Sequence, residues 1–179
     1  MATSKVKKGE ALEALPHARI GPIIGLIEVI RETEGPDDVY KLSQKLHFEL
    51  DDLLPITEAA EMLGFVKIES GDIEPTPLGL QLGDGDENQR KTIFRKQIEH
   101  LPIIHKVVEK LKSEEGNRIG KEFLIEILKK HFSQAETDRQ FATALDWGRY
   151  AELFGYNPDA EEFTQRHEEL DGHGVDEEG

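Results

Sequence analysis

The residue types that perform catalysis are present in this chain, but their spacing matches no catalytic pattern. The glycine-rich run 79–85 lacks the lysine of a phosphate-binding loop and contains an acid, which would repel phosphate. His100 and His105 are five residues apart with Pro102 between them, so one helical face would not present both imidazoles. The chain has no cysteine, which excludes disulfides, thiolate metal ligands and cysteine nucleophiles. We therefore expect no enzymatic activity, no cofactor and no metal site.

The side chains best suited to binding a partner lie in the second half of the chain. Trp147 is the single tryptophan. It is either a core residue or, with Arg149 and Tyr150, the anchor of a partner site, because these residue types are enriched in interface hot spots. Arg95 and Lys96 belong to a stripe of basic residues, which would either dock an acidic surface or pair with nearby acids such as Glu99 and Glu126. The stripe consists of Arg90, Lys91, Arg95, Lys96, Lys129 and Lys130.

Charge is distributed unevenly along the chain, whose formal net charge is −15. The range 20–79 holds 13 Asp and Glu against 4 Lys and Arg, whereas 88–166 holds 13 acids against 14 bases. The end of the chain, 167–179, holds 6 acids and no base, and with its glycines and lack of an apolar face we interpret it as a flexible acidic tail. The acidity of the first half argues against a nucleic-acid phosphate backbone as its partner.

The first half reads as a winged-helix-like unit. Isoleucines at helical spacing predict a first helix from near Pro22 to before Gly35, followed by a second helix that Asp37 or Asp38 caps. A third helix opens at Asp51 and Asp52, and we place Pro55 in its first turn, where a missing N–H is tolerated. After Gly64 the apolar period changes from helix to strand, and the sequence ESGDIEPT predicts a hairpin that ends at the Thr76-Pro77 helix start.

The second half shows the same order of elements. Pro102 divides a long helical stretch, Ser133 and Glu136 form a capping box, and residues 154–164 suggest a second, shorter hairpin. We therefore predict a mainly α protein with small β-hairpins (α+β), built of tandem winged-helix-like units. The predicted boundaries are an N-terminal extension over 1–19, a first unit over 20–82, a linker over 83–87, a second unit over 88–166 and the acidic tail over 167–179.

Three segments carry a resemblance to a known family. DVYKLSQKLHFELDDLLPITEAAEMLGFVKIESGDIEPTPLG, RKTIFRKQIEHLPIIHKVVEKL and FATALDWGRYAELFGY resemble the AAA-associated C-terminal domain. In that family the domain follows the ATPase subunit of nitrate/sulfonate/bicarbonate-type ABC importers. The resemblance implies an accessory or regulatory domain. Because no nucleotide-binding domain precedes the module in this sequence, we expect either a free-standing paralogue or a partner that works in trans.

The resemblance and the lack of a catalytic pattern together suggest a function through protein contacts. We expect a non-enzymatic accessory protein associated with an ABC-type anion importer or its ATPase. The alternatives are a winged-helix transcriptional regulator that binds DNA and a small-ligand sensor. Gly21 and Gly25 in the first helix would let another helix approach closely, which suggests a homodimer. The apolar run 20–30 is interrupted and shorter than the roughly 20 residues of a membrane span, so we expect a cytoplasmic protein without membrane insertion.

Overall fold

The computed structural model describes residues 12–33 and 35–165, and the expected acidic tail 167–179 lies outside that part. The described residues form eight helices and two small three-stranded antiparallel sheets, with 58% helix, which confirms the mainly helical α+β class. The elements in chain order are α1 (Ile20–Ile30), β1 (Asp37–Asp38), α2 (Val39–Leu46), α3 (Leu50–Met62), β2 (Val66–Glu69), β3 (Asp72–Pro75), α4 (Pro77–Asp84), α5 (Glu87–Ile98), α6 (Pro102–Ser113), β4 (Arg118–Gly120), α7 (Glu122–Lys129), α8 (Gln134–Tyr150), β5 (Gly155–Asn157) and β6 (Glu162–Thr164).

Two six-element units have the same topology. Each runs helix, strand, helix, helix, strand, strand, and the strand orders β1-β3-β2 and β4-β6-β5 correspond position by position. The predicted hairpins are present, with Ile68 opposite Ile73 in the first and Tyr156 opposite Phe163 in the second. The short strands β1 and β4, each of which completes a sheet, were not predicted. The protein is therefore a tandem of winged-helix-like units.

Local side-chain hydrogen bonds define where the helices begin. Asp38 caps α2 by accepting from the Lys41 backbone N–H, and Thr76 caps α4, as the sequence predicts. The capping box expected at Ser133 is only half formed, because Ser133 accepts from the Glu136 N–H while the Glu136 carboxylate bonds to other side chains. A complete capping box instead begins α5, where Asp86 and Gln89 each bond to the other's backbone N–H.

Pro55 lies deeper in α3 than predicted. The helix begins at Leu50, so Pro55 is its sixth residue and not part of the first turn. A proline there has no N–H to donate to the Asp51 carbonyl one turn earlier. The surrounding packing keeps the helix intact, since Leu53 and Ile56 on either side are both buried.

Helix α5 lies between the two units. Phe94 is fully buried and packs edge-on against Phe65 of the first unit, with ring centroids 5.1 Å apart, and against Tyr150 of the second, at 5.3 Å. The predicted linker, 83–87, falls at the junction of α4 and α5. The repeated topology of the second unit begins later, at Pro102, and α5 connects the two cores.

Candidate functional site

The third helix of the first unit exposes a face that is both acidic and apolar. Leu50, Leu54, Glu58 and Glu61 recur about one turn apart on α3, and all four are exposed. Leu54 is 41% exposed, and Phe48, which precedes the helix, is 38% exposed. Asp51 and Asp52 lie in the first turn, where carboxylates interact favourably with the helix dipole. We call these residues, Phe48, Leu50, Asp51, Asp52, Leu54, Glu58 and Glu61, the α3 face.

The α3 face occupies the position that a winged helix uses to contact DNA. It has no lysine or arginine, so it offers no cation to a phosphate and four carboxylates that would repel one. Exposed leucines one turn apart on a helix are the pattern by which a helix packs onto another protein. The chemistry of the α3 face is therefore that of a protein-docking surface.

The third helix of the second unit is covered along one side by an N-terminal arm, residues 12–19. Gln140 of α8 is fully buried, and its amide accepts from the Leu15 N–H at 2.8 Å and donates to the Leu15 carbonyl at 2.9 Å. Asp146 accepts from the Ile20 N–H at 2.9 Å. The sequence indicated only an extension over 1–19, so the docking of the arm onto α8 was not predicted.

Trp147 belongs to the core. Its side chain is fully buried, and its indole N–H donates to the Ala18 carbonyl at 2.7 Å. The alternative in which Trp147 anchors an exposed partner site is therefore wrong for this conformation, because the N-terminal arm already covers the ring. The next two candidates remain accessible, since Arg149 is exposed and Tyr150 is half-buried.

A groove opens between the N-terminal arm and α8. Its volume is about 690 Å³, and its lining includes His17 and Arg19 from the arm and Arg139, Asp146, Arg149 and Tyr150 from the helix. Burial, with a smaller contribution from the Glu87 carboxylate, raises the pKa of Tyr150 to about 12. The Tyr150 hydroxyl is therefore neutral at physiological pH. We call this feature the α8 groove.

Glu136 connects the two sides of the α8 groove. Its carboxylate is 2.6 Å from His17 Nε2, 2.7 Å from Gln140 Nε2 and 3.3 Å from Arg139. Partial burial opposes ionisation, but these hydrogen bonds and the charges of His17 and Arg139 outweigh it, so the pKa of Glu136 lies below its ordinary value.

Most of the predicted basic stripe is used within the molecule. Arg95 donates to the Ala151 carbonyl at 2.8 Å and lies 3.5 Å from Glu152, so this partner-binding candidate is held in an internal contact. Arg90 pairs with Glu28 and Lys91 with Glu152, which differs from the predicted pairing with Glu99. Lys96 is exposed and has no ion pair with the described residues. Arg90, Lys91 and Arg95 thus stabilise the contacts of α5 with the two units, while Lys129 lies 3.9 Å from Glu126 in α7, as predicted.

Helix α1 uses its large apolar side chains inside the chain. Ile20, Ile23, Leu26, Ile27 and Ile30 are all buried in the core. A Cβ added at Gly21 or Gly25 would meet nothing within 4 Å, so that side of the helix is open. A homodimer through this side stays a prediction.

The geometry defines a tandem winged-helix protein with an exposed acidic and apolar face on one third helix and an arginine-lined groove beside the other. A family model, the C-terminal AAA-associated domain, matches residues 40–157, which is more than half of the chain. The chain belongs to that family. Neither the curated proteins nor the solved structures contain a significant match. Within the described residues, no helix is both long and apolar enough to cross a bilayer.

Proposed function

We propose that this protein is a non-enzymatic accessory subunit that binds the ATPase of an ABC-type anion importer through the α3 face. The observation that carries the proposal is the exposure of leucine side chains among carboxylates on that helix. Membership of the AAA-associated family supports an ATPase as the partner. The resemblance stated from the sequence supports the narrower class of importer.

The partner surface should be a basic rim around an apolar groove. Four carboxylates on the α3 face would steer such a surface by long-range attraction, which raises the association rate more than the final affinity. Burial of Leu50 and Leu54 would supply the affinity, at about 25 cal/mol per Å² of apolar area removed from water. Electrostatic steering and apolar burial together predict fast, salt-dependent association with a partner whose contact surface has few acidic residues.

The test measures binding of the purified chain to the importer ATPase from the same organism. Leu54→Ser should weaken binding several-fold, since burying the 41% of Leu54 that is exposed would contribute roughly 0.6–1.2 kcal/mol. Leu80→Ser on α4 is the matched control, because both leucines are 41% exposed. If the two variants bind the ATPase equally well, the α3 face is not the contact. Stoichiometric binding of ATP to this chain alone in calorimetry would contradict the accessory role.

A DNA-binding function is the second candidate, because α8 carries Arg139 and Arg149 at the position of a recognition helix. The N-terminal arm lies along α8, and Gln140 and Trp147 of that helix are buried. Little of the α8 surface is therefore accessible for insertion into a groove of DNA. In an electrophoretic mobility-shift assay at about 0.15 M salt, we expect no specific binding to the DNA upstream of the gene for this protein, because the chain is strongly acidic. Nanomolar binding that Arg149→Glu abolishes would favour the DNA-binding candidate.

Self-association is also part of the proposal, as a two-fold dimer through the open side of α1. Sedimentation velocity at increasing concentration tests it. Gly25→Gln would block close approach of a second helix and should shift the species to a monomer. A wild-type chain that stays monomeric throughout would contradict the dimer.

A further inference from the structure

The α8 groove concentrates arginines in a chain that is otherwise strongly acidic. Arg139, Asp146 and Arg149 lie on one face of α8, because their spacings of seven and three residues are near whole turns. Arg19 projects from the arm toward the same place, with its terminal nitrogen 3.5 Å from Asp146. The net charge of the chain is −15, so a local excess of cations requires an explanation.

Two of these arginines are available to a ligand. Arg149 is exposed, and no carboxylate of the described residues lies within ion-pair distance of it. The Arg19 side chain is 81% exposed, and its contact with Asp146 is at the long end of the hydrogen-bond range. Asp146 does not depend on Arg19, because the Ile20 N–H also donates to its carboxylate at 2.9 Å. Arg19 can therefore move onto an anion while Asp146 keeps a partner.

We propose that the α8 groove binds a small organic anion, whose carboxylate or phosphate group lies between Arg19 and Arg149. A guanidinium presents paired N–H donors that match two oxygens of such a group, and two guanidiniums can hold it from both sides. Ala18 and Ala142 line the same groove and provide apolar surface for the body of the ligand. Its volume of about 690 Å³ is within the usual range for small-molecule sites.

The same geometry favours a small anion over a nucleic acid. A nucleic-acid backbone needs a basic surface that extends over several phosphates. Here Arg19, Arg139 and Arg149 line one groove, and Glu136 already pairs with both His17 and Arg139 at its far end. Arg149 and the weakly paired Arg19 therefore suit a single anionic group.

The single tryptophan provides the readout. Its indole N–H donates to the carbonyl of Ala18, which lines the α8 groove, so a ligand there should change Trp147 fluorescence. The probes are citrate for carboxylates, inorganic phosphate for phosphates and a single-stranded oligonucleotide for nucleic acid. We expect saturable binding of citrate or phosphate with one site per chain. The probe that binds more tightly identifies the anionic group.

Variants separate a specific site from general charge attraction. Arg149→Gln and Arg19→Gln should each weaken binding about tenfold, the loss of a charge-assisted hydrogen bond. Lys106→Gln is the control, because Lys106 is exposed on α6 and its loss changes the net charge equally. Amide exchange at Leu15 should be unchanged in Arg149→Gln, which shows that the arm is still docked. Equal affinity in all three variants, no saturable signal, or tighter binding of the oligonucleotide than of either small anion would overturn the proposal.

Discussion

Gln140→Leu should release the N-terminal arm from α8. Leucine has nearly the same volume as glutamine but neither donates nor accepts hydrogen bonds, so the substitution removes the polar contacts of Gln140 without leaving a cavity. The bonds lost are those between the Gln140 amide and both backbone groups of Leu15, together with the bond that Gln140 Nε2 donates to the Glu136 carboxylate at 2.7 Å. Leu15 is only 2% exposed, so water cannot replace them while the arm stays docked.

The expected loss follows from these two backbone groups. Each buried donor or acceptor left without a partner costs about 1–3 kcal/mol, so the loss of unfolding free energy from the two groups should be about 2–6 kcal/mol. For a chain of this size, 1 kcal/mol corresponds to roughly 2–4 °C in Tm, which gives a decrease of about 4–24 °C. If the arm detaches, the backbone groups of Leu15 bond to water, and the free energy lost is limited to that of docking the arm.

Denaturant unfolding followed by Trp147 fluorescence measures the global change, and amide exchange at Leu15 measures the local one. Gln134→Leu is the matched control, because Gln134 is exposed at the start of the same helix. We expect the control to lie within about 0.5 kcal/mol of wild type, as surface substitutions usually do. A loss below about 1 kcal/mol, together with unchanged exchange at Leu15, would refute the assigned role of these bonds.

Two further predictions concern packing and pH. Gly148→Ala should destabilise the protein by about 1–3 kcal/mol, since the new Cβ would lie 2.7 Å from Phe154 Cε1 and nearer still to Cε2 and Cζ. A Cβ at Gly25 would meet nothing within 4 Å, so Gly25→Ala should be neutral or stabilising, and thermal unfolding of both variants checks this. Because the folded-state pKa of Glu136 is below its ordinary 4.5, its stabilising contribution is complete above that pH and is lost as pH falls through the folded value. In denaturant unfolding, wild type should therefore be more stable than Glu136→Gln near neutral pH and equally stable in acid. A difference that persists in acid would contradict the role of the ionised Glu136 carboxylate.

The order of elements was predictable because most of its determinants are local. Helix caps at Asp38 and Thr76, the proline that begins α6 and the alternation of Val66 and Ile68 are signals within a few residues. Both hairpins and the repeated topology follow from such signals. Strands β1 and β4 were missed because two or three residues show no alternation, and they form only by pairing with distant strands.

The site was less predictable, because its contacts join distant parts of the chain. The bonds from Gln140 to Leu15 span 125 residues, and nothing in the arm's sequence specifies that partner. The residue types around Trp147 suggested an interface with a partner. In the structure, Trp147 is instead contacted by the N-terminal arm of the same chain. The acids of the α3 face lie where a helical period that places Leu53 and Ile56 in the core leaves them exposed.

The third helices of the two units, α3 and α8, present different surfaces, and α5 contacts the ends of both. Gln97 of α5 donates to the Leu63 carbonyl at the end of α3, and Arg95 donates to the Ala151 carbonyl at the end of α8. These two side chains are two residues apart, so they leave α5 in nearly opposite directions. One short helix thus satisfies the terminal carbonyls of both third helices, which otherwise have no intrahelical donor. The orientation of the α3 face relative to the α8 groove is therefore fixed by α5, and substitutions at Arg95 or Gln97 should change it without altering either surface.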